Sequence, residues 1–336
     1  MTVRAYAARE AGAPLEPFTY EFTRDLGTHE VEIAVSHCGI CYSDVSMIDN
    51  EWGMTTYPIV PGHEAVGRVV GRGAGVTLAV GQTVGVGWNA ASCGTCEDCL
   101  GGDDNMCARA EGVIVGRHGG FADRLRVSER FAIPLPEGLD PAVGGPLLCG
   151  GVTVYNPLKQ FHVRPSERVG VVGIGGLGHM AIQFARAWGC DVTAFSHSAD
   201  KEGEARRLGA HAFVGTHDTT ALQGMARSLD VLIVTVNVTL DWPAYVNMLR
   251  PRGRLVVVGG VLEPLQIPAF ALIVGQRMVT GSATGSAQTI AEMLAFAARH
   301  GVRPITQAFG LSQVNEAIDL LRANRARYRL VLDTAR

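Results

Sequence analysis

The sequence predicts an α/β protein with a β-rich first half and a doubly wound parallel sheet in its second half. Three observations predict this fold class. Short apolar strands broken by glycines occupy roughly residues 1–150, strands and helices alternate from about residue 167, and a glycine-rich turn joins the first of those later strands to a helix. The length of 336 residues also suggests two domains.

The elements of the first half are predicted from short apolar stretches bounded by glycine or polar residues. They are VEIAVSH (31–37), AVGRVVGRG (65–73) and QTVGVGW (82–88). In the second half, the buried strand RVGVVG (168–173) leads into a helix. The predicted apolar face of that helix holds Ile182, Phe184, Ala185 and Trp188. Further strands are predicted at 191–195, 211–215, 230–236, 254–260 and 328–333, and further helices at 199–210, 290–301 and 311–323.

Composition excludes several classes of partner. Hydrophobic residues make up 47 % of the chain and charged residues 18 %, with a net charge of −3. This balance, without a block of one sign, does not favour nucleic acid or an anionic membrane surface. The first ten residues contain no apolar signal core, and no apolar run approaches the ~18–20 residues that span a bilayer. We therefore expect a soluble cytoplasmic protein with reduced thiols.

The most informative motif is a run of four cysteines with the spacing C-x2-C-x2-C-x7-C. Its members are Cys93, Cys96, Cys99 and Cys107. Four thiolates from one short loop form a closed tetrahedral shell that suits zinc and leaves no position for substrate, which predicts a structural zinc. An iron–sulfur centre and two disulfides are the alternatives, but no second cysteine cluster and no oxidising compartment is indicated. Cys38 and Cys190 are predicted to be buried as small apolar side chains.

A second motif, GIGGLG at residues 173–178, matches G-x-G-x-x-G between the predicted strand and the predicted helix. The first glycine permits the tight turn, the second lets the backbone approach a pyrophosphate, and the third allows close helix–strand packing. The helix N-terminus adds N–H groups for the phosphates. A plain glycine-rich turn is the alternative. The predicted dinucleotide contacts are Gly173, Gly175, Gly176, Leu177 and Gly178.

The end of the next strand predicts which dinucleotide is preferred. An Asp or Glu at that tip would bind the 2′-hydroxyl of NAD, but the segment reads SHSADK. Two hydroxyls, an imidazole and an ammonium group there predict a 2′-phosphate site, and hence NADP(H). These groups belong to Ser196, Ser198, His197 and Lys201. Asp200 is the alternative acid, but it is better placed as an N-cap or first-turn residue of the following helix.

A second metal site is open to two interpretations on spacing alone. Two thiols, an imidazole and a carboxyl group are supplied by Cys41, Cys149, His63 and Glu64. Three such ligands plus water, or all four, suit a catalytic zinc. A histidine beside a glutamate in a glycine-rich loop is also common as a purely structural pair.

Taken together, the motifs resemble those of the zinc-dependent medium-chain alcohol dehydrogenases, and more narrowly the cinnamyl alcohol dehydrogenase branch with its bacterial broad-range NADPH aldehyde reductases. The matching segments, in order, are CGICYSDVSMIDNEWG, YPIVPGHEAVGRVV, VGVGW with the cysteine cluster, PLLCGGVTVYNPL and VGVVGIGGLGHMAIQFARAWG. The similarity continues weakly to YRLVLD. It implies a GroES-like zinc and catalytic domain at 1–150, a Rossmann NADP(H)-binding domain at 151–286 and a return to the catalytic domain at 287–336.

The resemblance also assigns roles to individual residues. Cys41, His63 and Cys149 are expected to hold the catalytic zinc, with Glu64 as an exchangeable ligand or close neighbour. With the cysteine cluster, this makes two zinc ions per chain.

Around that zinc, the resemblance implies that Asp44 fixes the tautomer of the bound imidazole. Ser43 is expected to bond the substrate alcohol and carry its proton. Two positions depart from the family pattern, because Tyr42 and Ser46 stand where histidines are usual, which alters the outer proton relay. The expected pocket residues are Tyr42, Ser46, Trp52 and Trp88.

The predicted function is zinc-dependent transfer of a hydride between NADP(H) and a primary alcohol or aldehyde, with aryl or medium-chain aldehydes as substrates. An iminium or activated-alkene reductase on the same scaffold is one alternative, and a non-catalytic NADP(H)-binding redox sensor is another. A zinc-ribbon interaction module would explain only the loop at 93–107. By analogy, we expect a homodimer or homotetramer with the sheet edge at Gln276–Ser282 as its seam.

Overall fold

The computed structural model describes residues 2–335 and divides the chain into two compact units. Unit 1 contains Met1–Val152, Thr284–Arg299 and Pro304–Arg336, and unit 2 contains Thr153–Ala283 and His300–Arg303. No helix among the described residues is both long and apolar enough to cross a membrane.

Unit 1 is built on a seven-stranded sheet, with two small two-stranded sheets beside it. Its strands are β1 (Thr2–Ala7), β2 (Glu16–Glu21), β3 (Glu30–Ile40), β4 (Ala65–Arg72), β5 (Thr83–Val86), β6 (Asn89–Ala91), β7 (Glu111–Gly112), β8 (Arg124–Ser128), β9 (Ile133–Pro134), β16 (Thr306–Gly310) and β17 (Arg329–Asp333). Its helices are α1 (Tyr42–Ile48), α2 (Glu97–Gly101), α3 (Pro141–Pro146), α10 (Ala287–His300) and α11 (Val314–Arg322). The main sheet runs β16-β17-β3-β4-β5-β9, with β8 also paired to β3.

The long strand β3 organises this unit because its apolar residues face the core. Val31 and Ile33 are almost completely buried, and Cys38 is fully buried, as predicted from its apolar surroundings. Antiparallel pairing places Cys38 opposite Ala65 of β4. The segments that follow β3 and precede β4 are therefore neighbours at one end of the sheet.

Unit 2 is a six-stranded parallel sheet in the order β12-β11-β10-β13-β14-β15. Its strands are β10 (Arg168–Val172), β11 (Asp191–Ser196), β12 (Ala212–Gly215), β13 (Leu229–Val234), β14 (Leu249–Val257) and β15 (Met278–Gly281). The helices, numbered between those of unit 1, are α4 (Val152–Gln160), α5 (Gly178–Trp188), α6 (Glu202–Arg207), α7 (Thr219–Gly224), α8 (Trp242–Asn247) and α9 (Ala269–Ile273). The strand order reverses at β10, as in a doubly wound sheet, so the predicted fold class is confirmed.

Several boundaries differ from the sequence-based expectation. The helix predicted at 199–210 is a short 3₁₀ turn, Ala199–Lys201, followed by α6. Asp200 lies in the first turn, one of the two positions predicted for it, and Ser198 is the N-cap. Cys190 is buried as expected and lies between α5, which Gly189 ends at a φ of 99°, and β11. The short helices α7, α8 and α9 carry too few apolar repeats to have been predicted.

Candidate metal centres and dinucleotide site

Three separate segments of unit 1 bring the predicted catalytic ligands together. Cys41 follows β3 directly and is the N-cap of α1. His63 and Glu64 immediately precede β4, the antiparallel neighbour of β3. Cys149 lies in a five-residue π-helical turn, Leu147–Gly151, and such turns are frequent at functional sites. The potential ligand atoms of all four residues lie within 4.8 Å of one another.

The spacing of these atoms fits a zinc ion. Zinc–sulfur bonds of about 2.3 Å in a tetrahedron separate two sulfur ligands by about 3.8 Å. The Sγ atoms of Cys41 and Cys149 are 4.0 Å apart, and Nε2 of His63 is 3.3 Å from Sγ of Cys149. Hydrogen bonding from Cys149 holds the pKa of Cys41 well below its usual value and raises that of Cys149. This favours a thiolate at Cys41, which is the form that binds metals.

Asp44 positions two of these ligands at once. Its fully buried carboxylate accepts the backbone N–H of Cys41 (2.9 Å) and that of Gly62 (2.8 Å). One of its oxygens is also 2.9 Å from Nδ1 of His63. A carboxylate accepts hydrogen bonds, so it favours the tautomer with the proton on Nδ1 and leaves the Nε2 lone pair directed at Cys149.

The fourth group, Glu64, is held by a buried arginine. Arg329 of β17 donates to Oε1 of Glu64, whereas Oε2 has no hydrogen-bond partner despite its burial. Burial raises the pKa of Glu64 to about 7, against the opposing charge of Arg329. A Cβ atom at Gly39 would lie 1.9 Å from Oε2, so a larger residue there would displace the Glu64 carboxylate. An unpaired buried oxygen within this ligand group is suited to a metal.

Two serines lie on α1 beside the metal group. The Oγ of Ser43 is 3.7 Å from Sγ of Cys41. Ser46, only 3 % exposed, donates to Oε2 of Glu51 at 2.7 Å. Sequence reasoning missed Glu51. It lies five residues after Ser46, and because α1 ends between them at Ile48, the chain turns back and brings the carboxylate to the hydroxyl.

An aromatic wall flanks the metal group on one side. The Trp88 ring is 5.2 Å from the His63 ring, and the Trp52 ring is 5.9 Å from that of Trp88, both edge to face. Tyr42 lies at the start of α1 and is 42 % exposed. The two tryptophans predicted to line the pocket are thus placed beside a predicted zinc ligand, and Tyr42 is open to solvent.

The four-cysteine cluster also fits a zinc ion. Sγ of Cys93 is 3.9 Å from that of Cys99 and 3.5 Å from that of Cys107, close to the tetrahedral spacing. Backbone amides of Thr95 and Cys96 lower the pKa of Cys93 to about 5. All four ligand atoms lie within 4.8 Å of one another. The loop geometry therefore favours a thiolate set ready to bind a metal.

A buried aspartate ties this cysteine loop to the start of α10. Asp104 accepts the backbone N–H of Ala287 (3.0 Å) and the guanidinium N–H of Arg130 (2.6 Å). Arg130 also donates to the carbonyl of Cys99 (3.1 Å), and Asn105 donates to the carbonyl of Thr284 (2.7 Å). The loop thus fixes the point at which the chain re-enters unit 1.

Replacing Asp104 by alanine is expected to lower the free energy of unfolding by roughly 2–3 kcal/mol, because it removes a buried carboxylate and leaves a buried helix N–H without its partner. Urea unfolding of the zinc-loaded protein measures this change. Asp98→Ala, at an exposed position of the same loop, is the control and should change stability by less than about 0.5 kcal/mol. Equal effects of the two substitutions would contradict the role given to Asp104.

The glycine-rich turn has the geometry expected of a dinucleotide cradle. Gly173 has a φ of 91°, and a Cβ at Gly178 would lie 1.8 Å from the Gly173 carbonyl oxygen. A Cβ at Gly175 would meet nothing within 4 Å, so the space above it is open to a ligand. Of the predicted apolar face of the following helix, Ile182, Phe184 and Ala185 are buried, and Trp188 is half-buried.

The tip of β11 brings the predicted 2′-phosphate residues close to that turn. Nζ of Lys201 donates to the carbonyl of Ile174 within the turn (2.8 Å). Oγ of Ser196 accepts the backbone N–H of Ser198 (3.2 Å). The ring of His197 faces a second imidazole, His217, which the sequence analysis did not single out.

Comparison with known proteins identifies the family. Residues 27–137 match the alcohol dehydrogenase GroES-like domain and residues 176–299 match the zinc-binding dehydrogenase domain. Aldehyde reductase AdhA of Synechocystis sp. is 49 % identical over 98 % of both chains.

Solved structures agree with this assignment. A cinnamyl alcohol dehydrogenase of Sorghum bicolor has a TM-score of 0.95 at 42 % identity, covering 100 % of this chain and 98 % of its own. The structure of CAD from Helicobacter pylori, complexed with NADP(H), has a TM-score of 0.93 at 28 % identity, covering 100 % and 99 %. The resemblance inferred from the motifs is confirmed, and the chain belongs to the zinc-binding alcohol dehydrogenases, in their cinnamyl alcohol dehydrogenase-like branch, and is an oxidoreductase.

Proposed function

We propose that this enzyme reduces aryl or medium-chain aldehydes with NADPH, using one catalytic and one structural zinc. The observation that carries the proposal is the convergence of Cys41, His63 and Cys149 around a tetrahedral spacing, with Asp44 fixing the imidazole. A relative named as an aldehyde reductase supports the substrate class. A similar structure complexed with NADP(H) supports the cofactor.

The roles proposed for the residues follow from their positions. When bound, zinc supplies a Lewis acid for the carbonyl oxygen and NADPH supplies the hydride. Cys41, His63 and Cys149 hold the metal, while Asp44 keeps the proton of His63 on Nδ1, away from it. Ser43, whose Oγ is 3.7 Å from Sγ of Cys41, gives its hydroxyl proton to the developing alkoxide.

The proton that Ser43 gives up is replaced from solvent. Ser46 takes the place of the usual relay histidine, and its hydroxyl donates to the carboxylate of Glu51, an exposed residue. We propose that Glu51 takes a proton from solvent and passes it to Ser46, while Ser46 passes its own proton through a bridging water to Ser43, which is three residues away on the same helix. Trp88 and Trp52 form the apolar side of the pocket, which favours aryl substrates.

The direct test is NADPH oxidation at 340 nm by zinc-loaded protein with cinnamaldehyde or benzaldehyde, beside a chelator-treated sample. Chelator-sensitive turnover that prefers NADPH supports the proposal. If NADPH binds but these aldehydes are not reduced, the aldehyde assignment is wrong. Iminium and activated-alkene substrates are then the next to test, because Ser46 alters the family's proton relay.

Replacing Lys201 by alanine is expected to weaken NADPH binding about tenfold or more and NADH binding less than twofold, since only NADPH carries the 2′-phosphate. Titrating the protein into NADPH and, separately, into NADH, and following the change in nicotinamide fluorescence on binding, gives the two dissociation constants. Lys159→Ala, a lysine of α4 in the same unit, serves as the control. Equal weakening of both nucleotides would refute the assignment of Lys201.

We further propose that two copies assemble through the edge of the sheet in unit 2. Strand β15, within the predicted seam Gln276–Ser282, is the last strand of that sheet. Helix α9 and its flank expose large apolar side chains, with Phe270, Ile273 and Val274 all at least 67 % exposed. Pairing of two such edges would cover both the unpaired backbone and this apolar surface.

A Phe270→Lys, Val274→Lys double substitution is expected to convert the dimer to a monomer, because it places charges in the apolar seam. Light scattering after size-exclusion chromatography measures the mass of the particle in solution. The control Val80→Lys alters a valine of unit 1 whose exposed fraction (62 %) is close to that of Val274 (68 %), and it should leave the mass unchanged. An unmodified protein that is monomeric at micromolar concentration would rule out this seam.

All eight cysteines are without disulfide bonds. We propose a cytoplasmic location, because thiols that are to bind zinc must stay reduced, as they do in that compartment.

A further inference from the structure

The carboxyl end of β12 carries an imidazole that the recognised dinucleotide motifs do not use. His197 follows Ser196 by one residue, and His217 follows Gly215 by two. Ser196 and Gly215 are register partners in the parallel pair β11–β12, and Thr216 donates its backbone N–H to the Ser196 carbonyl at 2.9 Å. The two histidines therefore leave the sheet side by side, from adjacent strands, at the edge where doubly wound sheets bind nucleotides.

The imidazole rings of His197 and His217 lie edge to face at the surface of unit 2. Their centroids are 5.9 Å apart, with an angle of 82° between the planes. Both residues are exposed. A Cβ at Gly215 would lie 3.1 Å from Cε1 of His217, so glycine at this position lets the ring lie against the strand end. At this separation, a single phosphate beside the pair can accept one N–H from the His197 ring and one from the His217 ring, over hydrogen bonds of about 2.7–2.9 Å each.

Three other charged side chains lie within four residues of either histidine along the chain. Lys201 contributes an ammonium group that is held at the glycine-rich turn by the carbonyl of Ile174. The nearest acid along the chain from His217 is Asp218, whose Oδ1 accepts the backbone N–H of Ala221 at 3.0 Å as the cap of α7. Asp200, the acid nearest to His197 along the chain, belongs to the 3₁₀ turn after β11.

We infer that His217, together with His197, binds the 2′-phosphate of NADP(H), so that the phosphate site spans the ends of β11 and β12. The inference rests on the proposed preference for NADP(H) and adds a determinant, His217, that lies just after a predicted strand but was not singled out in the sequence analysis. The 2′-phosphate distinguishes NADP(H) from NAD(H). A donor directed at it therefore strengthens NADP(H) binding and leaves NAD(H) binding unchanged.

Isothermal titration of the full-length, zinc-loaded protein with two fragments tests this inference. The fragments are adenosine 2′,5′-bisphosphate, which carries the 2′-phosphate, and 5′-AMP, which lacks it. His217→Ala and His217→Phe are each expected to weaken binding of the bisphosphate about tenfold and that of 5′-AMP less than twofold. His217→Gln retains a donor and should recover part of the loss.

His162→Asn is the matched control, because it removes another exposed imidazole of unit 2, at a φ of 49° that asparagine tolerates. Thermal unfolding establishes that each variant is folded. The inference is overturned if His217→Ala binds both fragments as the unmodified protein does, or loses both equally. It is also overturned if His217→Phe keeps full affinity, since phenylalanine preserves the ring contact without a donor. An unmodified protein that shows no preference for the bisphosphate would instead refute the NADP(H) assignment.

Discussion

Replacing Cys41 by serine is expected to reduce aldehyde turnover by at least about a thousandfold, because the catalytic zinc loses a thiolate and the carbonyl oxygen loses its Lewis acid. The fold should persist, since Cys41 packs at the end of β3 and the structural zinc lies in a different loop. Metal analysis should give one zinc per chain instead of two. Turnover is measured at 340 nm, and the thermal midpoint reports on the fold.

The matched control for this experiment is Cys190→Ala, which removes a thiol from unit 2 that contacts neither cysteine group. It should retain two zinc ions and turnover within about twofold of the unmodified protein. Removing the buried sulfur atom leaves a small cavity, which lowers stability only slightly. If Cys41→Ser bound one zinc and still reduced aldehydes at the original rate, Cys41 would not be a catalytic ligand. A decrease of the thermal midpoint as large as that expected for Cys99→Ser would indicate a structural role instead.

Asp44 is not itself one of the predicted zinc ligands, but its substitution should disturb the positions of Cys41 and His63. One carboxylate connects the backbone before α1 with the His63 ring, so the helix start and the imidazole cannot move independently. Its role was implied by family resemblance alone. The further contact with the N–H of Gly62 is a feature of the folded chain that no spacing rule contains.

The sequence predicted those parts of the site that are contiguous in the chain. The cysteine loop and the glycine-rich turn each lie within one short segment, and their chemistry depends on local spacing, so each could be interpreted in isolation. The catalytic group is different, because Cys41 and Cys149 are 108 residues apart. The register between β3 and β4 and a π-helical turn bring the ligands together, and neither has a local signature. Only the resemblance to a family joined them beforehand.

Contacts between distant segments were missed for the same reason. Arg329 meets Glu64 across 265 residues, and the Ala287 amide meets Asp104 across 183. A buried arginine on a short closing strand has no periodic pattern that names its partner. His217 was missed for a related reason, since its significance depends on β12 lying beside β11. In parallel sheets, residues far apart in sequence share the binding edge.

Replacing Cys99 by serine should cause the largest loss of stability among single substitutions of the cysteine loop. Structural zinc contributes an apparent binding energy of ~10–16 kcal/mol in small zinc domains, which exceeds what the few hydrogen bonds of Asp104 and Asn105 can contribute to ordering this polar loop. We expect a loss of about 5 kcal/mol or more, comparable with the whole stability of many domains. Urea unfolding and limited proteolysis within residues 93–107 measure it. Leu100→Ala, at a 76 % exposed position in the same loop, is the control.

Cys41→Ser and Cys99→Ser together separate the two metal roles, because each should leave one zinc per chain with opposite consequences. Loss of the Cys99 thiolate releases the loop that carries Asp104, which supports the start of α10. The main effect of Cys99→Ser should therefore be lower stability, and activity should be lost only to the extent that the protein unfolds. Loss of the Cys41 thiolate should remove activity and lower the unfolding midpoint much less than Cys99→Ser does. If Cys99→Ser were as stable as the unmodified protein with only one zinc bound, the cysteine loop would order itself without metal, and its zinc would not be structural.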